Sequence, residues 1–252
     1  MSSWRALVIG IGSGVPGQLT ADATAAMRAV DVFLVADKRA ETSDLVTMRT
    51  ELCAAVIDHD RYRVVALPDP ARQTGAYLED VAVWHRRRAA GQAAAVRAEL
   101  PDGGTVGFLV WGDPSLYDST LRQLELIRGT GLDLDVRVVP GLSSPTLLAA
   151  AHRIVLNQVG RPVHVTTGRR LVEEYDPAHG DVVVMLDGGL VCAELAEDHP
   201  ELVIYWGAQL GLADETLVAG PLVEVIDRIR SERRRLRARR GWVMDTYLLR
   251  RP

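Results

Sequence analysis

Phe108-Leu109-Val110-Trp111-Gly112-Asp113-Pro114-Ser115-Leu116-Tyr117 is a short apolar run that stops abruptly in a Gly-Asp-Pro turn. The run is too short for a helix and has no polar alternation, which predicts a strand buried on both faces. A strand that passes through a tight turn directly into a helix puts Asp113 at the carboxyl end of an open sheet. Ligands gather there, and free helical N–H groups lie beyond. Val139-Pro140-Gly141-Leu142-Ser143-Ser144-Pro145 has the same form. Two such turns in one sheet can make two walls of a single pocket, although either one alone also reads as an ordinary capped loop.

Similar β-branched runs recur at Ala6 to Ile9, Val32 to Val35, Val106 to Val110, Val136 to Val139, Val182 to Leu186 and Leu202 to Tyr205. Helical spacing appears between them. Leu19, Ala23, Met27 and Val30 form one stripe, Leu78, Val81 and His85 open a longer one, and Leu121, Leu124 and Ile127 form a third that Gly129 stops. Alternating strands and helices predict an α/β protein with a mainly parallel sheet. Ser144 before Pro145 predicts a helix start, with the serine hydroxyl as cap and proline in the first turn. The Pro140 cluster marks a domain boundary, giving an N-terminal α/β domain over 1–138 and a C-terminal α/β domain over 139–252. The second domain closes with a helix whose apolar positions are Leu222, Ile226, Ile229 and Leu236, ending at Gly241.

After the first strand comes Gly10-Ile11-Gly12-Ser13-Gly14-Val15-Pro16-Gly17-Gln18-Leu19-Thr20. From Gly12 it satisfies G-x-G-x-x-G, and Asp37 ends the next strand where a dinucleotide fold places its ribose-binding acid. Pro16 interrupts the loop, however, and the helix begins only near Leu19, so the last glycine does not open it. An NAD-dependent oxidoreductase, a general ligand-facing turn and a purely structural turn all remain open on the loop alone.

The 252 residues are 48% hydrophobic and 25% charged, which excludes disordered and fibrous classes. Basic and acidic residues number 29 and 33, for a net charge of −4, so a strongly basic nucleic-acid binder is not the default. Lys38 is the only lysine, and a blanket preference for arginine lowers the meaning of any single arginine. The densest group, between Arg228 and Arg240, reads as the exposed face of the last helix, because no aromatic residues interleave it as RNA binding needs. Two distant cysteines, Cys53 and Cys192, fit a reducing cytoplasm, with neither a disulfide nor a cysteine metal site. No apolar run reaches the roughly 18 residues of a membrane span, and the opening residues read as a strand and not as an export signal. A soluble cytoplasmic protein is expected.

The order of these motifs resembles the tetrapyrrole (corrin/porphyrin) methylase family, two-domain methyltransferases that use S-adenosyl-L-methionine (SAM). The glycine loop ending in Leu19-Thr20 is similar to that family's N-terminal signature, Trp111-Gly112-Asp113-Pro114 to its Gly-Asp-Pro motif, and Pro140-Gly141-Leu142-Ser143-Ser144 to its Pro-Gly-Ile-Ser/Thr motif. Longer strings narrow the resemblance: Trp111 to Thr120, Thr166-Thr-Gly-Arg-Arg-Leu171, Val184-Met-Leu-Asp-Gly-Gly189, Tyr205-Trp-Gly-Ala208 and Gly241 to Arg250. They are most similar to the member that methylates precorrin-5 at C-1 and releases acetate. In one respect the chain departs from the family, having Val15 where the loop usually carries an acid.

The resemblance implies two α/β domains with the active-site cleft between them, a role in cobalamin biosynthesis, SAM as methyl donor, S-adenosyl-L-homocysteine as product, no metal, and a homodimer. It assigns Gly112, Asp113, Ser143, Ser144, Met185 and Ala208 to the cofactor, with Gln209 a weaker neighbour. Gly12 and Gly14 fall beside the substrate. Because that substrate is an anionic tetrapyrrole, cations must meet it, and Arg169 with Arg170, or Lys38 with Arg39, follow predicted strands; solvated surface charge is the alternative for each pair. Loss of acetyl requires water to be activated, for which Asp118, Tyr117, Asp187 and Asp245 are candidates. No nucleic acid or membrane partner is implied. Another precorrin methyltransferase of the family remains the alternative beside the oxidoreductase.

Overall fold

The computed structural model describes residues 3–37, 43–68 and 77–252, so Lys38 and Arg39 lie outside the described residues. The chain divides into two compact units between Leu142 and Ser143. That division falls beyond residue 138, because the fifth strand runs to Val139 and Gly141 is packed on Gly10.

The first unit contains β1 (Trp4–Gly10), α1 (Ala21–Arg28), β2 (Val32–Asp37), α2 (Ser43–Val56), β3 (Arg63–Pro68), α3 (Tyr77–Glu99), β4 (Gly104–Val110), α4 (Thr120–Arg128) and β5 (Leu134–Val139). Its five strands are all parallel, in the order β3-β2-β4-β1-β5. Helices cover both faces, and β1 shows why its residues are continuously apolar. Leu7 and Ile9 pack with Met27, Phe33 and Leu52 on one side, whereas Ala6 and Val8 pack with Ala93, Leu124 and Ile127 on the other. Gly129 caps α4 as the stripe predicts. The two edge strands depart from burial on both faces: Val138 of β5 is exposed, and β3 has no fully buried residue.

The second unit contains α5 (Ser144–His152), β6 (Val163–Thr167), α6 (Gly168–Glu174), β7 (Asp181–Met185), α7 (Leu195–Asp198), β8 (Val203–Ala208), β9 (Thr216–Pro221), α8 (Leu222–Arg240) and β10 (Asp245–Arg250). Its sheet has the order β6-β7-β10-β8-β9. Here the expectation of mainly parallel pairing fails: β6 and β7 are parallel, but β10 runs antiparallel to both its neighbours and β8 antiparallel to β9. The last strand returns from α8 into the middle of the sheet, where Tyr247 and Leu249 join the larger core and Leu248 the smaller one beneath α5. In α8 the buried residues are Leu222, Ile226, Ile229 and Leu236, and Gly241 closes the helix at φ 78, as its spacing predicts.

Two local readings change. No helix follows Gly112-Asp113-Pro114 directly, since α4 starts only at Thr120. The Asp113 carboxylate accepts the Ser115 N–H at 2.8 Å, Tyr117 turns into the left-handed region at φ 52, and Asp118 Oδ1 accepts the Thr120 N–H at 2.6 Å. These bonds make a turn of what the sequence reads as a helix. The cap of α5 is Ser143, not Ser144: the Ser143 side chain accepts the Thr146 N–H, and Ser144 is already the first helical residue. Among the described residues no helix is long and apolar enough to cross a membrane.

Replacing Ser143 with alanine should therefore lower stability by about 0.5–2 kcal/mol. Ser144→Ala should stay within about 0.5 kcal/mol of the parent. Urea unfolding of the two variants checks the assignment, and equal losses would contradict it.

Candidate functional site

In the first sheet β4, β1 and β5 are neighbours, so their carboxyl ends bring three glycine turns together. Gly12 and Gly112 form an isolated antiparallel bridge, with Gly112 N–H donating to Gly12 O at 2.7 Å and Gly12 N–H to Gly112 O at 3.3 Å. A Cβ on Gly10 would lie 2.5 Å from Gly141 N, and one on Gly141 would lie 2.6 Å from Gly10 C and press on Gly112 O. The strand ends meet backbone to backbone, which admits no side chain.

Asp113 fastens this arrangement. One carboxylate oxygen accepts the Gly141 N–H at 2.9 Å, and the other accepts the Ser115 N–H and hydroxyl. Partial burial pushes this carboxyl upward, but the bonds from the Ser115 hydroxyl and from the Gly141 and Ser115 N–H groups outweigh that and hold it below the usual aspartate value. The negative charge here faces a neighbouring turn, not a helix start.

The glycine loop is closed on itself. Gly12 N–H is bound to Gly112 O, Ser13 N–H to Gln18 Oε1 at 2.9 Å and Gly14 N–H to Ile11 O at 2.9 Å. A dinucleotide loop must instead present such groups to a pyrophosphate and use its last glycine for helix packing. Gly17 has nothing within 4 Å of where a Cβ would stand, and α1 begins at Ala21, capped by Thr20. The oxidoreductase reading loses its physical basis. Gly12 and Gly14 take φ values of 58 and 83, and Gly14 lies against the Trp111 ring.

Beside the Gly-Asp-Pro turn, at the carboxyl ends of β2 and β4, lies a cavity of about 180 Å³. Arg49, Arg88, Gln92, Trp111, Asp118 and Gln123 line its polar side. The Arg49 guanidinium sits 4.6 Å from the Trp111 ring centroid and donates to the backbone carbonyls of Leu109 and Leu45 at 3.3 and 3.1 Å. Burial brings its pKa down to about 10, with Asp118 opposing and Arg88 reinforcing the change. No sequence pattern marks Arg49, Arg88 or Gln92, because contact with Trp111 and the strand ends is made only by the fold. Asp118 and the exposed Tyr117 remain near this cavity in sequence, and Asp118 lines it.

In the second unit, Met185 ends β7 between Thr167 and Thr246, and Ala208 ends β8 fully buried. The next residue, Gln209, adopts φ 53 and exchanges bonds with Met244, N–H to O at 2.9 Å and Oε1 from N–H at 3.4 Å. Its Nε2 is buried with no partner among the described residues. An unsatisfied buried donor costs about 1–3 kcal/mol, and the ring nitrogens of an adenine are acceptors suited to it.

Two other acids are spent internally. Asp245 accepts from Arg233 Nε at 2.9 Å and Trp206 Nε1 at 3.1 Å, and Asp187 accepts from the Tyr247 hydroxyl at 2.6 Å and the Val191 N–H at 3.1 Å. Arg170 pairs with Glu174 at 2.8 Å and Glu173 at 3.2 Å along α6, the solvated alternative, and Arg169 sits beside it in the same helix. The arginine-rich helix is also not a free basic face. Arg240 grips the buried Asp214 through two nitrogens, Arg233 holds Asp245, and Arg230 and Arg235 pair with Asp227 and Glu232. Burial pushes the thiols of Cys53 and Cys192 up to about 12, which leaves both inert as nucleophiles near neutral pH.

The chain thus pairs a parallel sheet, with glycine turns at its strand ends, with a second, mixed sheet in a separate unit, the two-domain α/β class. Residues 6–226 match the model of the Tetrapyrrole (Corrin/Porphyrin) Methylases, and the chain belongs to this family. It is 42% identical over 249 residues to a precorrin-6A synthase [deacetylating] of Sinorhizobium sp, covering 98% of this chain and 95% of that protein. The solved structure of a cobalamin-synthesis-related protein (CobF) from Corynebacterium diphtheriae superimposes with a TM-score of 0.85 at 36% identity, covering 99% of each chain. A uroporphyrin-III C-methyltransferase of Thermus thermophilus, solved with S-adenosylhomocysteine, shares the fold at a TM-score of 0.61 and 19% identity, covering 98% of this chain and 92% of that one.

Gly141→Ala should destabilise the protein by about 1–3 kcal/mol or more through overpacking, whereas Gly17→Ala should change stability by less than about 0.5 kcal/mol; denaturant midpoints decide this. Asp113→Asn tests the charge. Because the folded pKa is depressed, the wild-type contribution is present above the unfolded value, about 3.9, and is lost as pH falls through the folded one. Stability of the wild type should therefore fall more steeply below about pH 4 than that of Asp113→Asn, with parallel pH profiles as the contrary result.

Proposed function

We propose that this chain is a SAM-dependent C-methyltransferase of cobalamin biosynthesis that methylates precorrin-5 at C-1 and releases acetate, giving precorrin-6A. The observation that carries this is the 42% identity, across 98% of the chain, to a precorrin-6A synthase [deacetylating]. Support also comes from the closed glycine loop, which removes the oxidoreductase alternative, and from the orphaned Gln209 donor.

The cofactor residues are those that the family's motifs assign: Gly112, Asp113, Ser143, Ser144, Met185 and Ala208. Gly12 and Gly14 shape the wall beside the substrate, and Arg169 meets its carboxylates from α6, since Arg170 is paired with Glu174 and Glu173. Bound SAM supplies a sulfonium methyl group, already electrophilic, so the chain's task is to orient the ring carbon toward it and exclude water elsewhere. Backbone-walled strand ends serve this well, because their positions are fixed without rotamer freedom.

Deacetylation has its own balance. The oxygen of water bonds to the acetyl carbon, the bond from that carbon to C-1 breaks, and its electron pair remains on C-1, which takes the methyl group. A base must accept the water proton. Asp118 is favoured because its carboxylate lines the cavity, with Tyr117 beside it; Asp245 and Asp187 are held by internal donors. Val15 stands in place of the family's loop acid, and Asp118 would supply the carboxylate in its stead. We place the enzyme in the cytoplasm as a homodimer acting on an anionic tetrapyrrole, without nucleic acid or membrane partners.

S-adenosylhomocysteine should raise the melting temperature of the protein by several degrees and NAD should leave it unchanged; the opposite pattern contradicts the proposal. Anaerobic turnover with precorrin-5 should then yield a product with one methyl gained and the acetyl lost, together with free acetate. A methylated product that keeps its acetyl group would point to another precorrin methyltransferase.

A further inference from the structure

The chain leaves β7 through Met185-Leu186-Asp187-Gly188-Gly189-Leu190. Leu186 and Leu190 lie in the left-handed region, at φ 55 and 53, whereas Gly188 and Gly189 between them do not. Glycine adopts that region freely and leucine only under strain. The strain thus sits on the residues least suited to it. Two other residues in that region have local reasons. Arg153 closes α5, and Leu190 itself starts a short 3-10 helix and is buried in the larger core. Leu186 caps no helix, and 68% of it is exposed. Neither capping nor burial accounts for its conformation, and such outliers gather where a ligand is met.

Its neighbour holds it in place. Asp187 is buried, its carboxylate accepts the Tyr247 hydroxyl at 2.6 Å and the Val191 N–H at 3.1 Å, and its backbone carbonyl accepts the Leu190 N–H at 3.4 Å. Burial, with Cys192 and Asp187 adding to it, raises the Tyr247 hydroxyl well above the usual tyrosine value, so it stays protonated and donates. Gly168 makes the room, since a Cβ there would lie 2.5 Å from Asp187 Cγ. With Asp187 pinned between β10, α6 and the turn at Val191, the Leu186 backbone is kept left-handed and its side chain stands in solvent.

The place narrows the role. Met185 pairs with Thr167 on one side and Thr246 on the other, and the preceding residue of β10, Asp245, pairs with Ala208. The ends of β7 and β8 therefore flank the start of β10, about 10 Å apart at the usual strand spacing. At the end of β8 stands Gln209, also left-handed, whose buried Nε2 has no partner among the described residues. One strand end offers an exposed apolar side chain, and the other a buried donor without an acceptor. A ligand with a flat apolar face and acceptor atoms on its rim removes both deficits by lying across them.

We propose that Asp187 is a positioning residue of the cofactor site: through its bonds to Tyr247 and Val191 it holds Leu186 outward as an apolar contact for the nucleoside of SAM. Asp187 acts through Leu186 and does not itself meet the cofactor. The inference rests on the SAM-dependent reading above, and it gives this acid a task other than activating water.

Calorimetric titration of S-adenosylhomocysteine into the full-length protein tests this. Leu186→Asn removes the apolar contact but suits a left-handed backbone. It should weaken binding by about tenfold, while the melting temperature stays level or rises. Asp187→Asn, which replaces one of the two acceptor oxygens by an amide, and Tyr247→Phe should each weaken binding by about threefold or more. In a Leu186→Asn background neither change should weaken it further, because no contact is left to position. KM for SAM should rise in step with these losses, and KM for precorrin-5 should not. If Asp187→Asn does not fold, Tyr247→Phe, alone and in the Leu186→Asn background, still decides.

A Tyr247→Phe loss that adds in full to that of Leu186→Asn makes Asp187 a structural acid and overturns the proposal. A raised KM for precorrin-5 with unchanged S-adenosylhomocysteine affinity makes Leu186 a substrate contact and overturns it as well. A wild type that binds S-adenosylhomocysteine no better than its variants do refutes this inference alone, whereas a wild type that does not bind it refutes the underlying reading.

Discussion

Three parallel strands, β1, β4 and β5, end so close together that backbone touches backbone. Gly10, Gly112 and Gly141 occupy the meeting point, and any Cβ at Gly10 or Gly141 would collide with another main chain. Asp113 secures the contact by accepting the Gly141 N–H from across the sheet. Much else follows from this closure. The glycine loop is drawn onto Gly112 and its N–H groups are consumed, Trp111 is laid against Gly14, and Arg49 is laid over Trp111. A steric requirement at one point therefore fixes where the half-buried Arg49 guanidinium stands.

The distribution of charge follows a similar logic. In a chain of net charge −4, where the cations are placed matters more than how many there are. Many of its arginines act as pins: Arg240 on Asp214, Arg233 on Asp245 and Arg250 on Asp181 each join a helix or strand to a nearly buried acid. Such pairs are satisfied and offer little to an anion. Arg49 differs because its hydrogen bonds go to backbone carbonyls and Asp118 faces its charge without a direct bond among those described.

Much of the fold was legible because its signals are local. Continuous apolar runs marked the two-sided strands of the first sheet, and Gly129 and Gly241 marked helix ends. The edge strand β3 and the strands β6, β9 and β10 carry mixed or polar residues, and α2 has no clean apolar stripe, so periodicity did not reveal them. The site was legible in part. The Gly-Asp-Pro and Pro-Gly-Leu-Ser-Ser turns stand at strand ends, as read, but the partner of Asp113 is Gly141, 28 positions away, and not the following helix. Asp245 looked catalytic within a distinctive string, yet it is bound to Arg233 and Trp206 across β8 and α8. Nothing near Arg49 in the chain distinguishes it among so many arginines.

By itself the sequence determined the family, the α/β class and the glycines at the turns, because each depends on residues adjacent in the chain or on long strings shared with relatives. Tertiary structure alone decided the antiparallel second sheet, the serine that caps α5, which acids are consumed internally and which arginines line a cavity. Those outcomes depend on pairing partners distant along the chain, and a charged side chain's role is set by what the fold brings within hydrogen-bonding distance of it.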